Sequence, residues 1–169
     1  MGIVAITLPR PAVAAIWAIG MPAVHGGVPW LLARIGLHHG WVDGAPGAWN
    51  VLGLLPVAAA ALGLAWVVVL HVRHAPARSA LEWSASYLIA RGPYAISRNP
   101  MYLGELVLWA GWAVWFGSIA VAIGLAVLWT AIALVVRWEE RSLEAQFGTD
   151  YLAYRDRTSR WFGMRRGPP

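Results

Sequence analysis

The chain has no cysteine, no lysine and few charged residues of either sign. Without cysteine there can be no disulfide, no thiolate metal ligand and no cysteine nucleophile. Charged residues make up 12% of the 169 positions and hydrophobic residues 59%, whereas a soluble domain has about 25% charged residues. The composition therefore indicates an integral membrane protein, and its length suits a single domain spanning residues 1–169.

Two further features that the sequence lacks exclude particular kinds of binding site. There is no G-x-G, so the glycine-rich turn of soluble nucleotide-binding folds is missing. No aromatic-plus-basic module of the kind that reads nucleic acid is present. The net charge of +5 comes from 13 arginines against 8 acids, which in a membrane protein is typical of loops that face anionic lipid. Metal sites at the histidine pairs His38/His39 and His71/His74 would need further ligands, so we favour loop and span-end roles for them and predict no metal.

The first half of the chain, residues 1–75, contains two apolar runs. The 23 residues between Arg10 and Arg34 carry no charged side chain, which is enough for one membrane span of about 20 residues. Prolines and glycines from Pro22 to Pro29 predict that its second half is kinked or unwound. A signal peptide is the alternative for this run. Residues 50–72 form the second run, whose small residues favour close helix packing.

The longest apolar run predicts a helical hairpin. Residues 106–136 are 31 positions without an ionisable side chain, and one helix of that length would be about 46 Å long against a hydrocarbon core of about 30 Å. Two short spans fit better, with the turn at Phe116-Gly117-Ser118. Trp109, Trp112 and Trp115 follow a helical spacing, which indicates packing or an interfacial belt rather than a ligand cage.

Arginine placement predicts the topology. The loop of residues 73–99 has four arginines and the tail from residue 137 has seven, which is eleven of the thirteen. Four spans with both termini in the cytoplasm put all eleven on the inner side, as the positive-inside rule requires. Between the second and third spans, a segment around Ser79 to Ile89 that includes Trp83 is either an amphipathic interfacial helix or a solvated loop.

Two polar stretches flank the hairpin: RGPYAISRNPMYLG at residues 91–104 and RWEERSLEAQF at residues 137–147. Pro93 and Pro100 should push Gly92 and Asn99 toward extended conformations. Pro100 is expected to begin a helix with Asn99 as its N-cap, and such a helix end attracts a carboxylate. Taken alone, the second stretch also fits a charged helix end with snorkelling arginines.

Together, RGPYxxxRNPMYLG and EExxLxxxFGxxYxxYxxRxxRW resemble the isoprenylcysteine carboxyl methyltransferase and phospholipid methyltransferase family of membrane enzymes, over residues 91–161. The resemblance implies an all-α bundle of about four transmembrane helices, with a C-terminal hairpin and a cytoplasmic helical tail, in a bacterial cell membrane. It implies that residues 76–169 bind S-adenosylmethionine at the cytoplasmic face. The expected cofactor-binding residues are Gly92, Pro93, Tyr94, Asn99, Pro100, Tyr102, Leu103, Gly104, Glu139 and Glu140.

The expected catalytic residues are Arg98, Arg137 and Glu140. Either arginine would hold an anionic head group, and Glu140 or Tyr102 would be the base if the acceptor is an amine. The acceptor is expected to be an amphipathic, lipid-like molecule resembling an isoprenylcysteine carboxylate. A phospholipid amine, a related nicotinamide-dependent reductase, and a non-catalytic lipid- or partner-binding protein remain alternatives.

Two departures from the family pattern bear on the acceptor more than on the cofactor. Asn99 stands where carboxyl methyltransferases of the family usually have histidine. Ser159 stands where a proline usually precedes the final Arg-Trp.

Overall fold

The structure, a computed structural model, describes residues 7–74, 78–80 and 87–163, and it is mostly helical. The helices are α1 (Arg10–Pro22), a π-helical segment (Ala23–Gly27), α2 (Val28–Ala33), α3 (Ala48–Val51), α4 (Leu54–His74), a 3₁₀ turn (Gly92–Ala95), α5 (Pro100–Phe116) and α6 (Ile119–Arg157). Short antiparallel pairs join β1 (Thr7–Pro9) to β4 (Arg78–Ala80) and β2 (Trp41–Val42) to β3 (Ala45–Pro46).

Two helical stretches, Ala48–His74 and Ile119–Arg157, are long and apolar enough to cross a membrane, and Ala18–Ala33 is a shorter apolar helix. Only 22% and 17% of the apolar windows of the two long stretches are buried, whereas the core helix of a soluble protein is mostly buried. On α6 the exposed residues Ile119, Ile123 and Val127 recur every four positions and form one apolar stripe. This outer surface suits contact with lipid.

The first apolar run is helical from Arg10 to Ala33, so of the two alternatives expected for its second half, a kink or unwinding, unwinding is wrong. Instead, the backbone widens into the π-helical segment Ala23–Gly27 between α1 and α2. Pro22 and Pro29 flank this segment and remove two backbone donors, and a π turn accommodates the change in register without ending the helix. As a result, His25 lies inside the bundle with 8% of its surface exposed.

The hairpin turn lies where the sequence predicts it, between α5 and α6. Gly117 adopts a left-handed conformation with φ 56°, and the Ser118 hydroxyl caps α6 by accepting the N–H of Val121. Across the bundle, the Gly117 carbonyl accepts the N–H of His39 at 2.9 Å. Asn50 reinforces this contact by donating to the carbonyl of His39 at 3.1 Å. The arginine-poor loop of residues 34–47 and the hairpin turn therefore lie at one end of the bundle.

Helices α4 and α5 pack closely because glycines line their contact. A Cβ on Gly111 would lie 2.8 Å from the Gly53 carbonyl oxygen and 2.7 Å from Val57 Cγ2. A Cβ on Gly104 would lie 2.9 Å from two side-chain carbons of Leu64. The room that Gly104 leaves is thus filled by a neighbouring helix, not by a flat ligand ring.

Helix α6 continues past its apolar half and then folds back. Gly148 interrupts it with φ 50° and ψ −122°, a conformation that is essentially restricted to glycine. The reversal brings Arg155 within 2.7 Å of Glu144 and buries Tyr151 and Tyr154. Most of the amphipathic segment expected around residues 79–89, including Trp83, lies outside the described residues, as do two of the tail arginines, Arg165 and Arg166.

We expect Gly111→Ala to destabilise the protein by about 1–3 kcal/mol, because the new methyl group overlaps the backbone of α4. Gly63→Ala on α4 is the matched control: its Cβ would meet nothing within 4 Å, and alanine should stabilise the helix by up to about 1 kcal/mol. Thermal unfolding in detergent measures both. Equal midpoints for the two variants would contradict the α4–α5 contact.

Candidate active site

The hairpin brings the two polar stretches together at the end of the bundle opposite the turn. The hydroxyl of Tyr102 on α5 donates to Glu139 Oε2 at 3.1 Å. Arg98, just before α5, pairs with Glu140 of α6 at 2.8 Å. Each of the two consecutive glutamates therefore contacts a different residue of the first stretch.

Arg98 joins α6 and the segment that follows it through hydrogen bonds. Its Nε and Nη2 donate to Glu140 Oε1 at 3.1 and 2.8 Å, and its Nη1 donates to the carbonyls of Arg155 and Thr158 at 3.2 and 2.6 Å. These bonds use four of the five guanidinium N–H groups, and the side chain is only 7% exposed. An anionic substrate would have to displace these partners, so the geometry favours a positioning role for Arg98.

Glu140 is paired on both carboxylate oxygens. Arg98 binds Oε1, and Arg160 Nη2 donates to Oε2 at 2.6 Å. Hydrogen bonding to Glu140 raises the pKa of Arg160. Because two guanidinium groups stabilise its charged form, Glu140 is poorly suited to remove a proton from a substrate, which was one of the roles expected for it.

Glu139 is the less occupied of the two glutamates. Its Oε2 accepts the Tyr102 hydroxyl, and no hydrogen bond reaches Oε1 from the described part of the chain. Glu139 is partly buried beside the first turn of α5. It therefore has an oxygen available for a cationic ligand.

Asn99 precedes α5, as expected, but its side chain does not cap the helix. Its Nδ2 instead donates to the Arg160 carbonyl at 3.1 Å, which also accepts the Ser97 hydroxyl at 3.2 Å. Ser97 Oγ in turn accepts the N–H of Asn99 at 3.0 Å. The Asn99 amide is therefore held by residues 149–163 (the tail), and it is turned away from the N-terminus of α5.

Backbone hydrogen bonds join the end of the tail to residues 96–98. Arg98 donates its N–H to the Ser159 carbonyl at 2.9 Å, and Gly163 donates to the Ile96 carbonyl at 3.1 Å. Ser159 itself donates its N–H to Gly163 at 3.1 Å. Proline has no such N–H, so the serine makes a bond that the usual family residue would lack.

Tyr94 joins α4, the 3₁₀ turn and the tail. Its hydroxyl contacts His71 Nε2 at 2.6 Å, and His71 Nδ1 contacts the Tyr87 hydroxyl at 3.0 Å. Its carbonyl accepts the hydroxyl of Tyr154 at 2.7 Å. Burial raises the pKa of Tyr94, so the phenol stays neutral. His71 thus has tyrosine partners, and the described residues contain no group of three potential metal ligands.

Several residues that were predicted from the sequence lie at the edge of the site that Arg98, Tyr102 and the two glutamates form. Gly92 has φ 62° rather than the extended conformation expected, because α4 packs against it: a Cβ there would lie 3.0 Å from Leu70 Cδ1. Arg137 is exposed and has no ion pair among the described residues. Gly104 packs against Leu64. The other predicted cofactor residues that are partly buried here are Pro93, Pro100 and Leu103.

Several residues near the C-terminus build the site although the sequence pattern predicted no site role for them. Arg160 completes the pairing of Glu140, and Thr158 and Arg155 supply carbonyls to Arg98. The signal was present, because the motif YxxYxxRxxRW includes Tyr154 and Arg160. What the spacing did not show is that the chain reverses at Gly148.

Two cavities lie near the site. One, of about 690 Å³, is polar and is lined by Arg98, Glu140, Arg155, Asp156, Ser159, Arg160, Trp161 and Phe162. The other, of about 550 Å³, is an apolar groove between α5 and α6, lined by Leu106, Val107, Ala110, Ala122, Leu125, Ala126, Trp129 and Thr130. Both volumes are within the range of small-molecule sites. The rings of Trp129 and Trp161, 5.0 Å apart, connect the two.

The structure is thus an apolar helical bundle with a polar site at one end. A profile of the phospholipid methyltransferase family matches residues 57–150, more than half of the chain. The chain therefore belongs to the phospholipid methyltransferase family, a family of membrane methyltransferases. No curated protein and no solved structure matches it.

We expect Arg98→Met to cost about 3 kcal/mol of stability, because it leaves Glu140 buried with one cation fewer. Release of the tail should be visible as faster hydrogen exchange in residues 149–163. Arg137→Met, at an exposed arginine, is the control and should stay within about 0.5 kcal/mol of the parent. Unchanged exchange in the Arg98 variant would contradict the crosslinking role.

Proposed function

We propose that the chain is an S-adenosylmethionine-dependent methyltransferase acting on an amphipathic acceptor. The observation that carries this proposal is the Tyr102–Glu139 contact beside the start of α5, which leaves Glu139 Oε1 available for a cation. When bound, S-adenosylmethionine supplies an electrophilic methyl group on a sulfonium. It also presents a carboxylate, an ammonium and a flat adenine that the protein must hold.

The residues present fit these groups. The N-terminus of α5, which begins at Pro100, offers backbone N–H groups and a positive dipole end to a carboxylate. Glu139 suits the ammonium. The ring of Tyr102 suits the sulfonium or the adenine. In this arrangement Glu140 and Arg98 hold the neighbouring backbone in place, and Glu139 makes the ionic contact.

The proposed membrane arrangement has four spans, with both termini and the site in the cytoplasm. Two placements support this arrangement. The loop of residues 34–47 and the hairpin turn lie together at one end of the bundle, and the polar site with its arginines lies at the opposite end. Eleven of the thirteen arginines would then face the cytoplasm. At 17 residues, α5 would span only about 25 Å.

The acceptor is proposed to be lipid-like and to enter sideways from the bilayer. The apolar groove between α5 and α6 supports this route, because it is open along the lipid-facing surface and meets the polar cavity at Trp129 and Trp161. A hydrocarbon chain in the groove would leave its head group at the polar end. The sequence alone favoured an isoprenylcysteine-like carboxylate over a phospholipid amine.

Calorimetry with S-adenosylhomocysteine tests the cofactor assignment. We expect the purified protein in detergent to bind it at micromolar strength or tighter. Tyr102→Phe and Glu139→Gln should each weaken binding by roughly 10- to 100-fold, the value of a hydrogen bond to a charged group. Asp150→Asn, which changes an exposed carboxylate, should bind like the parent. Absence of binding by the parent would leave a non-catalytic lipid-binding protein as the better description.

A further inference from the structure

The outward face of α6 changes from apolar to cationic near its polar end. Along this face Ile119, Ile123 and Leu134 are between 60% and 62% exposed. The exposed Arg137 and Arg141 follow on the next turns. At 3.6 residues per turn, all five side chains lie within about 60° of one another around the helix axis. The lipid-facing stripe of α6 therefore continues into a cationic patch that consists of Arg137 and Arg141.

Helix α4 has the same pattern on its own outward face. Leu55 is 68% exposed and Leu62 is 75% exposed, and the exposed Arg73 lies near the end of the helix. These three residues lie within about 20° of one another around the axis of α4. Both long apolar helices thus carry an exposed apolar stripe that ends in an arginine.

The two stripes place their arginines at the same level. Both helices begin near the hairpin turn, where Asn50, just before α4, donates to the Val114 carbonyl at 2.9 Å. Arg73 follows Leu55 by 18 positions, as residue 137 follows residue 119 on α6. This spacing is a rise of about 27 Å, close to the hydrocarbon thickness of about 30 Å. The arginines therefore lie where a bilayer has its phosphate groups.

No acidic side chain neutralises the cationic patch within the described part of the chain. Neither Arg137 nor Arg141 is among the arginines that form ion pairs there. Glu140 is held by two other guanidinium groups, and Glu144 is bound to Arg155 at 2.7 Å. Two like charges at positions i and i+4 of a helix repel each other. An anion that contacts both arginines would remove this repulsion.

The cationic patch lies on the lipid side of α6, away from the candidate active site. Arg137 and Arg141 are each two positions from Glu139, which places them about 160° from it around the helix axis. Trp138, next to the patch, is 55% exposed, and exposed tryptophans are typical of the head-group level of a membrane. A molecule bound at the patch therefore lies outside the bundle and is not placed to receive a methyl group.

We propose that Arg137 and Arg141 together bind the head group of one anionic phospholipid of the surrounding bilayer, whose acyl chains lie along the apolar stripe of α6. Guanidinium groups suit a phosphate because they can donate two parallel hydrogen bonds to it. A zwitterionic phospholipid carries a cation beside its phosphate and compensates the patch less well. The lipid site requires only that α6 crosses the membrane, so it goes beyond the proposed function and does not depend on it.

The experiment uses the full chain, purified in a nonionic detergent without phospholipid. Native mass spectrometry measures the binding of phosphatidylglycerol, which is anionic, and of phosphatidylcholine, which is zwitterionic. The variants are Arg137→Gln, Arg141→Gln and their combination. Arg157→Gln is the matched control, because it removes the same charge from an exposed arginine that lies beyond the reversal at Gly148.

We expect the parent to bind one phosphatidylglycerol more tightly than phosphatidylcholine. Each single substitution in the patch should weaken phosphatidylglycerol binding by roughly fivefold, the value of one arginine at an anionic lipid surface, and the double substitution by roughly 25-fold. Arg141→Lys keeps a charge that binds phosphate and should stay within about threefold of the parent. Arg157→Gln should stay within about twofold.

Two controls separate lipid binding from a role in folding and from binding of a free anion. Without lipid, Arg137→Gln and Arg141→Gln should unfold at the temperature of the parent or above, since each removes a like-charge pair. Glycerophosphoglycerol, the same head group without acyl chains, should not bind at the concentrations used, because it cannot contact the apolar stripe.

Four results would overturn the inference. They are equal affinity of the parent for the two phospholipids, an effect of Arg157→Gln as large as that of the patch variants, a lower unfolding temperature of the patch variants without lipid, and binding of glycerophosphoglycerol as tight as that of phosphatidylglycerol. Calorimetry with S-adenosylhomocysteine on the same samples reports on the proposed function alone. Its failure would leave the lipid site standing, and failure of the lipid site would leave cofactor binding unchanged.

Discussion

The paired Glu140 is the interaction on which the site end of the bundle depends. A carboxylate at the foot of an apolar helix is costly unless cations surround it, and Arg98 and Arg160 supply them from two distant parts of the chain. Because Arg98 also binds the Arg155 and Thr158 carbonyls, the same charge holds the tail in place. The start of α5, the end of α6 and the tail are thus fixed relative to one another.

This pairing separates the roles of the two adjacent glutamates. Successive residues on a helix point about 100° apart, so Glu140 can face the tail while Glu139 faces Tyr102 on α5. Glu140 has both oxygens occupied and serves the fold. Glu139 keeps an oxygen available, which makes it the better candidate of the two for binding a cationic group of the proposed cofactor.

Local signals in the sequence predicted local structure well. The turn at Gly117 and the helix start at Pro100 follow from glycine and proline chemistry, and both are present. The arrangement of the tail depends on Gly148, where a φ of 50° reverses the direction of the chain. A glycine within a helical sequence pattern is not enough to predict such a reversal. The cap expected from Asn99 was wrong because the returning tail supplies a competing acceptor, the Arg160 carbonyl.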